Sequence, residues 1–133
     1  MKLLFIVFML VPVKVEPEFQ TFEATAYTSQ CDGCIGITKT GVDVRNTIYN
    51  EKGQRIIAVD PNVIPLGSLV EVRLENGKTF VAEAADTGGA IKGKRIDILV
   101  ETKKQAYQFG RQTVEVRPLQ KTVRYFPVYL ASP

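Results

Sequence analysis

The chain has 133 residues, room for one domain core and little more. Apolar residues make up 45% and charged residues 23%, which excludes a disordered tail, a collagen-like repeat and a polytopic membrane protein. A net charge of +3 is too modest to mark a nucleic-acid partner, and with no histidine the chain lacks Ser-His-Asp catalysis, Cys-His catalysis and His-ligated zinc.

Met1 and Lys2 precede the apolar run Leu3 to Val13, which is too short to span a bilayer as a helix. A basic start and a run of this length resemble an export signal or a short hydrophobic anchor, so residues 1–16 are expected to carry the protein out of the cytosol. Any membrane contact is expected through this segment alone. The plainer reading is a buried N-terminal strand. Residues 17–133 then form the domain.

Phe19 to Tyr27 alternates and is rich in strand formers. Residues 30–54 hold glycines, asparagines and the pair Cys31 and Cys34, and read as a long loop. Ile56 to Val59 is a short strand stopped by Asp60-Pro61. Leu69 to Leu74 alternates, and Asn76-Gly77 turns the chain into a strand at Thr79 to Ala82. After a glycine-rich turn, Arg95 to Val100 is another strand. Thr102, Gln105 and Gly110 mark a helix with a capping box and a glycine stop. Thr113 to Val116 and Val123 to Leu130 close the series. About seven short strands and one small helix predict an all-β barrel rather than a βαβ sheet.

With histidine absent, carboxylates, lysine, tyrosine or cysteine must carry any acid–base chemistry. Asp60 and Asp86 end strands, while Asp97 points away from Ile96, Ile98 and Val100. The glycines of Thr87-Gly88-Gly89-Ala90-Ile91-Lys92-Gly93 let backbone N–H groups approach a ligand or a neighbouring carboxylate. For any one aspartate alone, capping a turn and pairing with Lys92, Lys94 or Arg95 fits the sequence better.

Taken together, several segments say more. Thr25-Ala26-Tyr27, Thr40-Gly41, Ile57-Ala58-Val59-Asp60-Pro61, Val63 to Ser68 and the stretch from Asp86 to Asp97 resemble the three-aspartate (3D) domain family. They also resemble the catalytic domain of membrane-bound lytic transglycosylases of the A type. The resemblance runs in order from about residue 22 to about residue 101. It implies a double-psi β-barrel and cleavage of peptidoglycan glycan strands.

Carried onto this chain, it makes Asp97 the catalytic acid, Asp86 its close partner and Asp60 the first aspartate of the signature. Tyr27, Thr40, Gly41, Thr87, Gly88, Gly89 and Lys92 fall on the substrate-binding side. The stretch from Val42 to Gln54 is longer than the family's usual link. The reaction needs no metal, cofactor or second chain, and a monomer is expected. One carboxylic acid protonates the oxygen joining N-acetylmuramic acid to N-acetylglucosamine. The resulting carboxylate then takes the proton of the muramyl 6-hydroxyl, which closes a 1,6-anhydro ring.

Two other protein classes share parts of this pattern. Asp86-Thr87-Gly88 matches the D-T-G of aspartic proteases, which would require a homodimer. A similar barrel also holds sugars without cutting them, as a cell-wall-binding module. Cys31-Asp32-Gly33-Cys34 lacks the βαβ setting of a thioredoxin motif and reads as a local disulfide in an exported protein.

Overall fold

Strand alternation sets the barrel interior in this computed structural model, which describes residues 6–131. Phe22 and Ala24 turn inward from β2 (Gln20–Tyr27), and Ile57 and Val59 from β3 (Arg55–Val59). Val70 and Val72 come from β4 (Leu69–Arg73), and Ala82 and Ala84 from β5 (Thr79–Asp86). β6 (Arg95–Leu99) adds Ile96 and Ile98, and β7 (Gln112–Pro118) adds Val114 and Val116. All of these side chains are buried in one cluster.

The six strands close in the order β2-β6-β3-β5-β4-β7. The β2–β6 and β3–β5 pairs are parallel and the other four antiparallel. Closure leaves no open edge for another chain to pair with. This is the expected double-psi β-barrel with a single short helix.

That helix, α1 (Lys103–Phe109), starts where the sequence signals it. The Thr102 hydroxyl accepts the Gln105 N–H at 3.1 Å, and the Gln105 side-chain oxygen accepts the Thr102 N–H at 3.2 Å. Gly110 ends the helix at φ 61°. The Asn76-Gly77 turn is also present, with one change of geometry. Only Gly77 takes a positive φ, and the Leu74 N–H reaches the Lys78 carbonyl. The hairpin therefore closes on a three-residue loop rather than a two-residue turn with both centres left-handed.

Residues 28–54 contain no long strand, as expected, yet the loop is firmly tied. It carries two isolated bridges, Ile37 to Asp43 and Tyr49 to Arg55, and a disulfide joins Cys31 to Cys34. Val44 anchors it in a second buried cluster with Ile56, Ala85 and Leu99, and Tyr27 packs at the margin.

The chain enters the barrel over Phe19, whose ring lies 4.0 Å from the Arg73 guanidinium and 4.3 Å from that of Arg117. These arginines pair across the β4–β7 ladder with Glu115 and Glu71. Outside the barrel, β1 (Ile6–Val15) and β8 (Thr122–Ala131) form a separate antiparallel ribbon. The expected strand at Val123 to Leu130 is there, but its partner is the apolar run assigned to export. That run is mostly exposed rather than buried, and residues 1–5 lie outside the described residues.

Candidate active site

Ala58 sits at the centre of the candidate site. On one side it pairs with Asp97 of β6, and on the other with Asp86 of β5. Thr25 of β2 pairs with Asp97 from the far side, so Thr25, Asp97, Ala58 and Asp86 form a row across four strands. With strands about 4.8 Å apart, the two aspartate Cα atoms stand roughly 10 Å apart, bridged by one small side chain.

A bulge completes the row. The β3–β5 register runs Ile57 to Ala84 and then Ala58 to Asp86, skipping Ala85. Plain alternation would turn Asp86 inward with Ala82 and Ala84. The extra residue puts Ala85 into the outer cluster and brings Asp86 to the outer face beside Asp97.

The two aspartates sit in different surroundings. Asp97 accepts one side-chain hydrogen bond, from the Thr25 hydroxyl at 2.9 Å. Burial pushes its carboxyl above the usual range, and the charge of Asp86 adds to this. The Thr25 hydroxyl and the Arg95 charge pull the other way and are outweighed. Asp86 accepts three hydrogen bonds: Lys39 N–H at 3.1 Å, Thr87 N–H at 3.0 Å and the Tyr27 hydroxyl at 3.0 Å. Burial raises the Tyr27 phenol well above its ordinary value, and the charge of Asp86 and the hydrogen bond to it raise it further, so Tyr27 stays a donor.

Asp60 stands apart from this pair. It is buried, and its two carboxylate oxygens accept the Asn62 N–H at 3.0 Å and the Gly93 N–H at 2.9 Å. Those bonds, with a smaller pull from the Lys92 charge, hold it below the usual carboxylate range. Asp60 thus ties the exit of β3 to the glycine loop. Gly93 takes φ 67° there, and a Cβ on Gly88 would lie 2.9 Å from the Ile91 side chain.

The other sequence-marked residues spread around the row. Thr87 contacts Asp86, and Gly88 and Gly89 follow it into the loop. Thr40 gives both its N–H and its hydroxyl to the Ala85 carbonyl, at 3.0 and 3.1 Å, which secures the bulge. Thr40 and Gly41 face a groove of about 660 Å³ shared with Tyr49, Asn50 and Glu83. The Lys92 charge helps lower Asp60.

Sequence reasoning passed over Thr25, Lys39 and Arg95 as site residues. Thr25 was open to discovery, because it lies two residues before Tyr27 and so shares its strand face. Lys39 contributes only a backbone N–H, which no side-chain pattern reveals. Among the described residues, no three Cys, Asp or Glu side chains gather as a metal ion requires.

Residues 55–120 match the 3D domain, and over that stretch the chain belongs to the 3D domain family. Three relatives from Bacillus subtilis (strain 168) are similar over most of this chain. The SPbeta prophage-derived protein YorM is 58% identical over 94 residues, covering 70% of this chain and 39% of YorM. YabE, named for cell wall shaping, is 48% identical over 99 residues, or 74% of this chain and 22% of YabE. The cell wall-binding protein YocH is 48% identical over 99 residues, 74% of this chain and 32% of YocH. The chain thus spans less than half the length of each.

Proposed function

We propose that this chain acts on the cell wall outside the cytosol, as a lytic transglycosylase that cuts peptidoglycan glycan strands. The names of YabE and YocH support the wall as its setting. The observation that carries the chemistry is the unequal pair around Ala58. Burial raises the Asp97 carboxyl above its ordinary range, and Asp86 accepts three hydrogen bonds.

In this reading Asp97 gives its proton to the oxygen between muramyl C1 and the glucosamine ring, and the C1–O bond breaks. Asp86 stabilises the positive charge that develops at C1. The muramyl 6-hydroxyl attacks C1 and returns its proton to Asp97. The products are a 1,6-anhydro end and a free glucosamine hydroxyl, with no water consumed. Asp60 is a positioning residue for the glycine loop, and Tyr27 and the Lys39 N–H orient Asp86.

The test digests purified sacculi and identifies the new ends by mass, since anhydro and reducing ends differ by one water. Wild type is expected to release anhydro ends. Folded Asp97→Asn is expected to lose about 10²–10⁴-fold in rate. Wild-type rates from that variant would remove Asp97 from the acid's role. The second reading, a binding barrel that cuts nothing, draws on the name of YocH. It predicts sedimentation with sacculi and no released product.

A further inference from the structure

Among the described residues, twelve of the 19 exposed large apolar side chains lie on the β1–β8 ribbon, six on each strand. At roughly half exposure each, they amount to on the order of 1,000 Å², whereas the largest patch on a typical soluble monomer is roughly 300–600 Å². Ile6, Val7, Phe8, Met9 and Leu10 are exposed in succession, so both faces of the ribbon are apolar. The charged side chains on its two strands are Lys14 and Arg124, both cationic and near the barrel-proximal end, where Arg124 also reaches the Glu18 carboxylate at 4.0 Å.

We propose that this ribbon is a lipid-binding tip that seats the domain on an anionic membrane surface. A second copy packed face to face would cover one side of the ribbon and leave the other bare, whereas lipid covers both. Edge-to-edge pairing with another strand is hindered as well. Leu10 faces Pro127 and Pro12 faces Tyr125, two register steps apart, so both prolines occupy the same class of pair. Proline is accommodated where its nitrogen faces away from its partner strand, so each free edge lacks a donor.

The depth follows from the backbone. A two-stranded ribbon keeps unpaired N–H and C=O groups on both edges, which forbids crossing the hydrocarbon core. It suits shallow insertion among headgroups and upper acyl chains, where those groups find water. Phe8 and Tyr129 pack against each other across the strands, tilted by 46° with ring centres 5.5 Å apart, 55% and 64% exposed. Aromatic rings concentrate at that depth of a bilayer. Lys14 and Arg124 then lie at the level of anionic headgroups.

Flotation of the full chain with vesicles tests this. Wild type is expected to rise with phosphatidylcholine vesicles containing phosphatidylglycerol, and more weakly with phosphatidylcholine alone. The double variant Phe8→Asp/Tyr129→Asp is expected to reduce the floated fraction at least tenfold with an unchanged thermal melt. Lys14→Glu/Arg124→Glu is expected to abolish the preference for phosphatidylglycerol. Wild type that stays down with both vesicle types overturns the proposal. So does a wild-type dimer in light scattering that the Phe8/Tyr129 variant makes monomeric without any flotation, since a second copy then covers the ribbon.

Discussion

Thr25 and Asp97 show how a single hydroxyl sets the chemistry of a carboxyl. Burial raises the Asp97 carboxyl above its ordinary range, while the Thr25 hydroxyl stabilises the charged form. An acid catalyst works while protonated, so activity should fall as pH rises through the raised value of Asp97, above the ordinary ~3.9. Thr25→Val keeps the shape and deletes the donor. The alkaline limb of kcat/KM should therefore move to higher pH in this variant. A limb that stays in place while the melting temperature drops would leave Thr25 a structural role only. Stability has its own sign. With its folded value raised, Asp97 favours the fold below the ordinary carboxyl range and loses that contribution as pH rises through the raised value. Asp97→Asn should consequently melt no lower than wild type at neutral pH, a separation of activity from stability that calorimetry would show.

At the scale of elements, local signals were legible and non-local ones were not. The helix start at Thr102 and the Gly77 turn depend on neighbours a few residues away, and both are visible in the sequence. The inward residues of β4 and β6 follow from period-two alternation. The bulge at Ala85 does not, because it exists only in the pairing of β5 with β3. Alternation applied to β5 alone would have sent Asp86 inward. The β1–β8 pairing was hidden for a related reason. The apolar run fits a strand as well as an export segment, but its partner lies more than a hundred residues away, so no local pattern reveals the pairing. Asp60 joins two elements in the same non-local manner. Its folded value is lowered, so its contribution to stability is present above the ordinary carboxylate range and lost as pH falls through the lowered value. Asp60→Asn sets an amide N–H against the Gly93 or Asn62 N–H. The variant should melt several degrees lower at neutral pH, and the gap to wild type should close in acid. An equal gap at every pH would show that charge at Asp60 is irrelevant to the loop.

On the scale of the molecule, the barrel and the ribbon are two units with separate sources of stability. Neither buried cluster contains a side chain from β1 or β8, and each of these strands pairs only with the other. The barrel's core, its disulfide and the Asp60 tie all fall between Gln20 and Pro118. The connection after β7 is itself tied to the barrel, through the Leu119 N–H on the Leu69 carbonyl at 3.0 Å. A chain trimmed to residues 17–121 retains every one of these contacts, with Phe19 and its two arginines. It should fold cooperatively and melt within about 4 °C of the full chain, the change that roughly 1 kcal/mol produces between 100 and 150 residues. It should release the same muropeptide ends at an unchanged rate from sacculi in solution, and it should be more soluble, because the apolar ribbon is gone. Thermal scans with both chains at equal concentration decide the point. A trimmed chain that melts more than 10 °C lower would make the ribbon part of the barrel's folding unit.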